Sequence, residues 1–245
     1  PGGVSPGPYP DYALLTHREY GHRVGIFRVL DVLEKYGITP TVAMDALTAE
    51  HYPYLVQHCK QRGCEIIGHG IGVRMLTGHM SEPQEQAYIQ QSIATLQRAT
   101  GTAPAGWLGP EYGESARTPQ LLAQAGIRYV CDWVNDEQPY AMHTPQGELY
   151  ALPIMLELDD IHAMWERRVP MDRYGVLLKE SFDVLYRDGR QNGRVLVLHL
   201  HPWVIGQPFR IGFLDDALGH MRRHQSVWTA SGAQIIDWYR SHRNA

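Results

Sequence analysis

Two histidines, His69 and His201, stand where apolar runs give out, and imidazole is the side chain that moves protons near neutral pH. His69 closes Cys64-Glu65-Ile66-Ile67-Gly68 and is followed by Gly70, where a missing Cβ lets backbone approach a ligand. His201 ends the run Val195-Leu196-Val197-Leu198-His199-Leu200-His201-Pro202. Carboxylates follow two further apolar runs, Asp132 and Asp136 after residues 127–131, and Glu157, Asp159 and Asp160 after residues 149–156. No Ser or Cys sits in a nucleophile-elbow setting, so the set reads as hydrolysis by activated water. His201 is then the general acid, a carboxylate or bound metal activates the water, and His69 with backbone N–H groups stabilises the oxyanion. Asp132 and Asp136 orient His201, hold a substrate amide or face solvent, orientation being the favoured use. Glu157 and Asp159 share one face of a continuing strand and Asp160 takes the other, while Asp159 reads as a solvated loop residue. His199 and His201, two apart, face one side of a strand, a metal-pair spacing whose late position weighs against that use.

The elements that must position these groups follow from periodicity. Short apolar runs predict strands at 41–44, 64–68, 106–108, 127–131, 149–156, 195–198 and 227–228. Between them, Ile26, Val29, Leu30 and Leu33 predict a helix over 24–36, and Thr48 caps another running to about residue 61. Ser81 with Gln84 predicts a capping box for a helix ending at Gly101, and Ser231 with Gln234 predicts a second. Further helices are expected near 118–125, 171–186 and 214–221. Such alternation builds a parallel sheet, and polar groups after at least four strands meet most easily on a ring of strand ends. The expected fold class is α/β, a distorted barrel forming a single domain over 1–245. Residues 1–17 are expected to be a loop leader, and the absence of an initiator Met suggests a fragment whose first strand is missing.

Composition narrows the partners. Hydrophobic content of 44% is ample for a core, and a net charge of −4 with intermixed signs argues against nucleic acid and a polybasic membrane patch. No apolar run approaches the roughly 18 residues of a bilayer span. The expected partner is a small-molecule substrate. Cys59, Cys64 and Cys131 are odd in number without a signal peptide, which predicts a cytoplasmic chain with no disulfide.

With these residues in hand the chain resembles the polysaccharide deacetylase (NodB-homology) superfamily, and in particular its allantoinase-like and cyclic-imidase-like branch. The resemblance runs from about residue 18 and rests on Arg18-Glu19-Tyr20-Gly21-His22-Arg23-Val24-Gly25, Gly68-His69-Gly70 and Gly106-Trp107-Leu108-Gly109-Pro110. It continues through residues 129–136, Gln138-Pro139-Tyr140, Leu156-Glu157 with Asp160-Ile161, and His201-Pro202 with residues 205–210. It implies a distorted (β/α)7 TIM-like barrel, often a homo-oligomer, that hydrolyses carbon–nitrogen bonds other than peptide bonds. In the sugar deacetylases of this superfamily an aspartate from the first strand and two histidines four residues apart hold a divalent metal, usually zinc. His69 matches the first histidine, whereas the second position is Val73. Their Arg-Pro-Pro-Tyr-Gly loop is replaced by Gly109-Pro110-Glu111-Tyr112-Gly113. The implied activity is hydrolysis of small cyclic amides, imides or ureides, with one zinc ion or with none. The alternatives are a metal-dependent deacetylase of N-acetylated sugars and an inactive ligand-binding barrel. Expected substrate contacts are Glu19, Trp107, Gly109, Pro110, Glu111, Trp133, Asp160 and Trp203, with Trp107, Tyr112, Trp133 and Trp203 stacking on rings.

Overall fold

The computed structural model describes residues 11–243 except 74 and 76. Its segments interleave into two compact units. The larger unit comprises Gly37–Leu156, Asp183–Leu198 and Trp228–Ala245. Its strands are β1 (Thr41–Met44), β2 (Glu65–Gly68), β3 (Gly106–Trp107), β4 (Tyr129–Val130), β5 (Tyr140–Thr144) and β6 (Gly147–Ala151). They form a 6-stranded sheet in the order β1-β2-β3-β4-β6-β5, parallel except where β5 returns against β6. Parallel neighbours need a crossover. Helices α3 (Ala46–His51) and α4 (Pro53–Gln61) join β1 to β2, α5 (Glu82–Thr100) joins β2 to β3, and α6 (Thr118–Gln124) joins β3 to β4.

Successive side chains on a strand point to opposite faces, and the core is divided accordingly. Trp107, Val130 and Leu149 pack on Tyr88 and Ile89 of α5 and Leu121 and Leu122 of α6. Their neighbours Leu108, Tyr129, Cys131 and Tyr150 turn the other way, onto Ile236 of helix α9 (Gly232–His242). Full burial of a Leu or Ile contributes about 1.5–3 kcal/mol, so a one-residue slip of register would forfeit both faces at once.

Several expectations change. Asp45 caps α3, accepting from Thr48 N–H at 2.9 Å. The helix expected over 48–61 breaks at Tyr52, where Pro53 cannot donate to a preceding carbonyl. The apolar run 195–198 joins no ladder: Val195 N–H donates to Glu137 at 2.9 Å, and Val195 and Val197 pack half-buried on the sheet core. No strand forms at 227–228, where Trp228 is exposed. The β5–β6 hairpin was not expected, and Gly147, at φ 123°, is the residue that permits its tight return.

The second unit comprises Pro1–Tyr36, Glu157–Phe182 and His199–Val227. Residues 12–17, expected as loop, lie in helix α1 (Tyr12–Tyr20), which Asp11 caps by accepting from Leu14 N–H at 2.9 Å. Residues 1–10 lie outside the described residues. A π-helical turn, Gly21–Gly25, leads into α2 (Ile26–Lys35). Helix α7 (Met171–Asp188) begins in this unit, and α8 (Ile211–Met221) closes it.

Glycine spacing explains the first resemblance motif. A Cβ on Gly21 would meet Trp203 N at 2.9 Å, and one on Gly25 would overlap the Pro202 carbonyl, 2.8 Å from its carbon. One on Gly206 would overlap the same carbonyl, 2.7 Å from Gly25 Cα. The backbone just after His201 is therefore clasped by glycines at 25 and 206. Gly25→Ala is expected to cost at least ~1–3 kcal/mol, the usual penalty for overpacking, and to displace the 201–203 turn. Gly212→Ala, in open space on α8, is expected to be neutral or mildly stabilising. Urea unfolding of both variants checks the contrast.

Candidate active site

His201 is the best-positioned proton donor of the second unit. Its Nδ1 lies 2.7 Å from Asp160 Oδ1, and its backbone N–H donates to both Asp160 oxygens at 3.0 and 2.9 Å. Asp160 is completely buried while a quarter of the His201 side chain is exposed. A buried carboxylate accepts only, so it fixes the proton on Nδ1 and leaves Nε2 as the working atom. Asp160 was expected to touch substrate; the structure makes it the orienter of His201 instead, the role expected of Asp132 or Asp136. Arg210, whose guanidinium feels the Asp160 charge, donates to the Val204 carbonyl at 3.2 Å.

A second couple stands beside the first. His199 Nδ1 is 2.7 Å from Asp159 Oδ2, and the rings of His199 and His201 are 4.4 Å apart. Asp159 is 3% exposed and also accepts from His162 N–H at 3.0 Å, so it is not the solvated loop residue expected. Asp159, His199 and His201 each offer a ligand atom within 4.8 Å of the others. Two imidazoles and a carboxylate suit a divalent transition metal. Sequence reading noted the His199–His201 spacing but not the buried aspartate that completes the set.

In the larger unit, β2 delivers His69. Gly68 lies against Trp107, a Cβ there meeting the indole Cε3 at 2.5 Å, and the Gly70 carbonyl accepts from Ser92 at 2.8 Å. His69 Nδ1 lies 2.6 Å from the Leu108 carbonyl. A carbonyl accepts only, so Nδ1 carries a proton; a neutral ring then has an acceptor at Nε2, and an imidazolium has a donor there for an oxyanion. The superfamily's metal does not fit here: Val73 offers no ligand atom and is exposed.

Asp132 accepts from Gly109 N–H at 2.8 and 3.0 Å, tying the loops after β3 and β4 together. Burial first, and then the Glu114 charge, hold its carboxyl well above the usual range. Burial likewise raises Glu114, against the opposing effect of Trp133 Nε1, which donates to it at 3.0 Å. Glu114 carried no signal in sequence because nothing local marks a carboxyl as buried. A raised folded-state pKa means that stability falls as pH climbs from the unfolded carboxylate value through the raised one. Asp132→Asn, whose amide oxygen still accepts from Gly109, is expected to flatten that fall; urea midpoints between pH 4 and pH 8 measure it.

The remaining candidates divide. Asp136 is exposed and accepts from the N–H groups of Glu137 and Gln138 at 2.7 and 3.0 Å, a turn-capping role instead of catalysis. Glu157, expected to be catalytic, is exposed and paired with Arg167. Trp107, expected to stack on substrate, is wholly buried in the core; Trp→Ala at such a site costs ~3–5 kcal/mol. Pro110 is buried as well, and Glu111 is exposed with φ 54°, followed by Tyr112 at the same value. Trp133 stays 40% exposed. Glu19 is half-buried on α1. Trp203 forms an aromatic trio with His17 and Trp165 at 5.2 and 5.5 Å, and Trp165, unnoticed in the sequence, is 45% exposed.

Residues 15–130 match the Polysaccharide deacetylase family. A polysaccharide-deacetylase-type protein of Schizosaccharomyces pombe is 26% identical across 91% of this chain and 75% of its own length. A peptidoglycan deacetylase of Helicobacter pylori is 22% identical across 89% and 84%. The crystal structure of PuuE allantoinase superposes with a TM-score of 0.88 and 27% identity, covering 95% of this chain and 78% of that one. The fold is thus mixed α/β on a parallel, unclosed sheet, of the distorted TIM-like barrel type. This defines a carbon–nitrogen hydrolase of the polysaccharide deacetylase type. The chain resembles the polysaccharide deacetylase superfamily in sequence over residues 15–130 and in fold over most of its length. Among the described residues no helix is long and apolar enough to cross a membrane.

Proposed function

We propose that the protein hydrolyses small cyclic amides, imides or ureides. The observation that carries this reading is the His201–Asp160 couple, a partly exposed imidazole backed at 2.7 Å by a wholly buried carboxylate. The departing group of such a substrate is a nitrogen that must be protonated, and an imidazole near neutral pH does this. The trio of His17, Trp165 and Trp203 packs edge to face about Trp203, at 79° and 72°, and the 45% exposed Trp165 offers a ring face to a planar substrate. Any zinc ion serving this reaction is not held by a His69–Val73 pair, since valine has no ligand atom. The likeness to an allantoinase supports a ring ureide.

Deacetylation of N-acetylated sugars is the second reading, favoured by the Helicobacter pylori relative. Turnover of hydantoin, allantoin, succinimide and dihydropyrimidine, set against chitin oligomers, separates the two. Inactivity on every ring amide with release of acetate from chitin oligomers would refute the first.

A further inference from the structure

We propose that Asp159, His199 and His201 form a site for one divalent transition cation, and that its occupancy switches the hydrolase off. Three observations carry this. The three residues place their ligand atoms within 4.8 Å of one another, so that small side-chain rotations bring all three onto one ion at bonds of about 2.0–2.2 Å. The set is two imidazoles and one carboxylate, the donors that zinc and its neighbours take together. Asp160 backs His201 through Nδ1 at 2.7 Å, and metal-bound histidines are held in this way by a carboxylate on the other ring nitrogen.

Burial adds a reason for a cation at this place. Asp159 and Asp160 are consecutive in the chain and 3% and 0% exposed. Tyr174, whose hydroxyl donates to the Leu158 carbonyl at 2.8 Å, feels the field of both aspartates. Positive charge beside two buried carboxylates offsets their mutual repulsion more effectively than it would in water. The position differs from that of the superfamily's sugar deacetylases, where the histidine pair is four residues apart and begins at the position of His69. Here the pair is two apart and lies 130 residues further on, as the numbering of His69 and His199 shows.

The inhibitory sense follows from bookkeeping at one atom. Asp160 occupies Nδ1 of His201, so only Nε2 can ligate. The same atom must carry the proton that the departing nitrogen takes, and an imidazole nitrogen cannot hold a metal and a transferable proton together. This inhibitory part rests on the acid role proposed for His201; the binding part does not.

The test uses the full chain, freed of metal with chelator, and titrated with Co2+ and with Zn2+. Cobalt at a site of low coordination number is read by its visible absorption, with no substrate present. One Co2+ per chain is expected, displaced by Zn2+. His199→Gln and Asp159→Asn are expected to abolish the band, Asp160→Asn to weaken binding about 10–100-fold, and His69→Gln to leave it intact. Circular dichroism on each variant separates loss of a ligand from loss of fold, and the isosteric Asp159→Asn serves where His199→Gln does not fold. In turnover, zinc is expected to inhibit, chelator to restore activity, and His199→Gln to need at least ~10-fold more zinc for the same fractional inhibition. Binding that survives His199→Gln and Asp159→Asn, or is lost on His69→Gln alone, would overturn the site. Zinc-stimulated turnover with the site intact would overturn the switch while leaving the site standing.

Discussion

His201→Gln is expected to lower kcat on a cyclic amide by about 10^2–10^4-fold, the usual contribution of a positioned general acid, with a much smaller change in KM. The size of the loss should depend on the leaving group. An imide nitrogen departs as a weaker base than an amide nitrogen, so it needs less protonation in the transition state and should lose less on substitution. A structural role for His201 has no reason to produce that dependence. Glutamine removes one of the donors on the buried Asp160, which carries a penalty of about 1–3 kcal/mol. Denaturant unfolding of the variant therefore accompanies the kinetics. Turnover equal to wild type on every ring amide would remove His201 from the mechanism.

Asp160→Asn is the second large effect. The carboxylate accepts from His201 twice, once from the backbone N–H and once from the ring. An asparagine has one acceptor oxygen, which the fixed backbone N–H claims, so its NH2 group is turned toward Nδ1. The ring must then accept at Nδ1, so it cannot become the imidazolium that gives up a proton from Nε2 while keeping one on Nδ1. A carboxylate-to-amide exchange behind a catalytic histidine costs on the order of 10^4 in kcat where it has this consequence, and a loss of at least ~10^3 is expected here on the same physical ground. Because the two side chains act as one unit, the double variant His201→Gln, Asp160→Asn should be no slower than His201→Gln alone. Additive losses would show that Asp160 acts elsewhere.

These two effects bear unequally on what was readable in the residues. His201 was visible because a polar group after an apolar run is an anomaly that local pattern exposes. Its partner was not. Asp160 lies 41 positions earlier, beside two other acidic residues, and nothing in Glu157-Leu158-Asp159-Asp160 says which carboxylate turns inward. Folding buries Asp159 and Asp160 and leaves Glu157 on the surface with Arg167. Trp107 shows the converse, a ring that looks suited to a ligand and is spent on the core.

The sequence by itself determined the parallel part of the sheet and the capping boxes at Ser81 and Ser231. Both are local matters: strand alternation, and a side chain bonding three residues ahead. Only the tertiary structure decided that residues 195–198 join no ladder, that Asp160 and not Asp132 holds His201, and that His199 stands against Asp159. The reason is physical. A buried polar group needs a partner, and which partner is within 3 Å depends on how distant segments are brought together, a property that no short window of the chain contains.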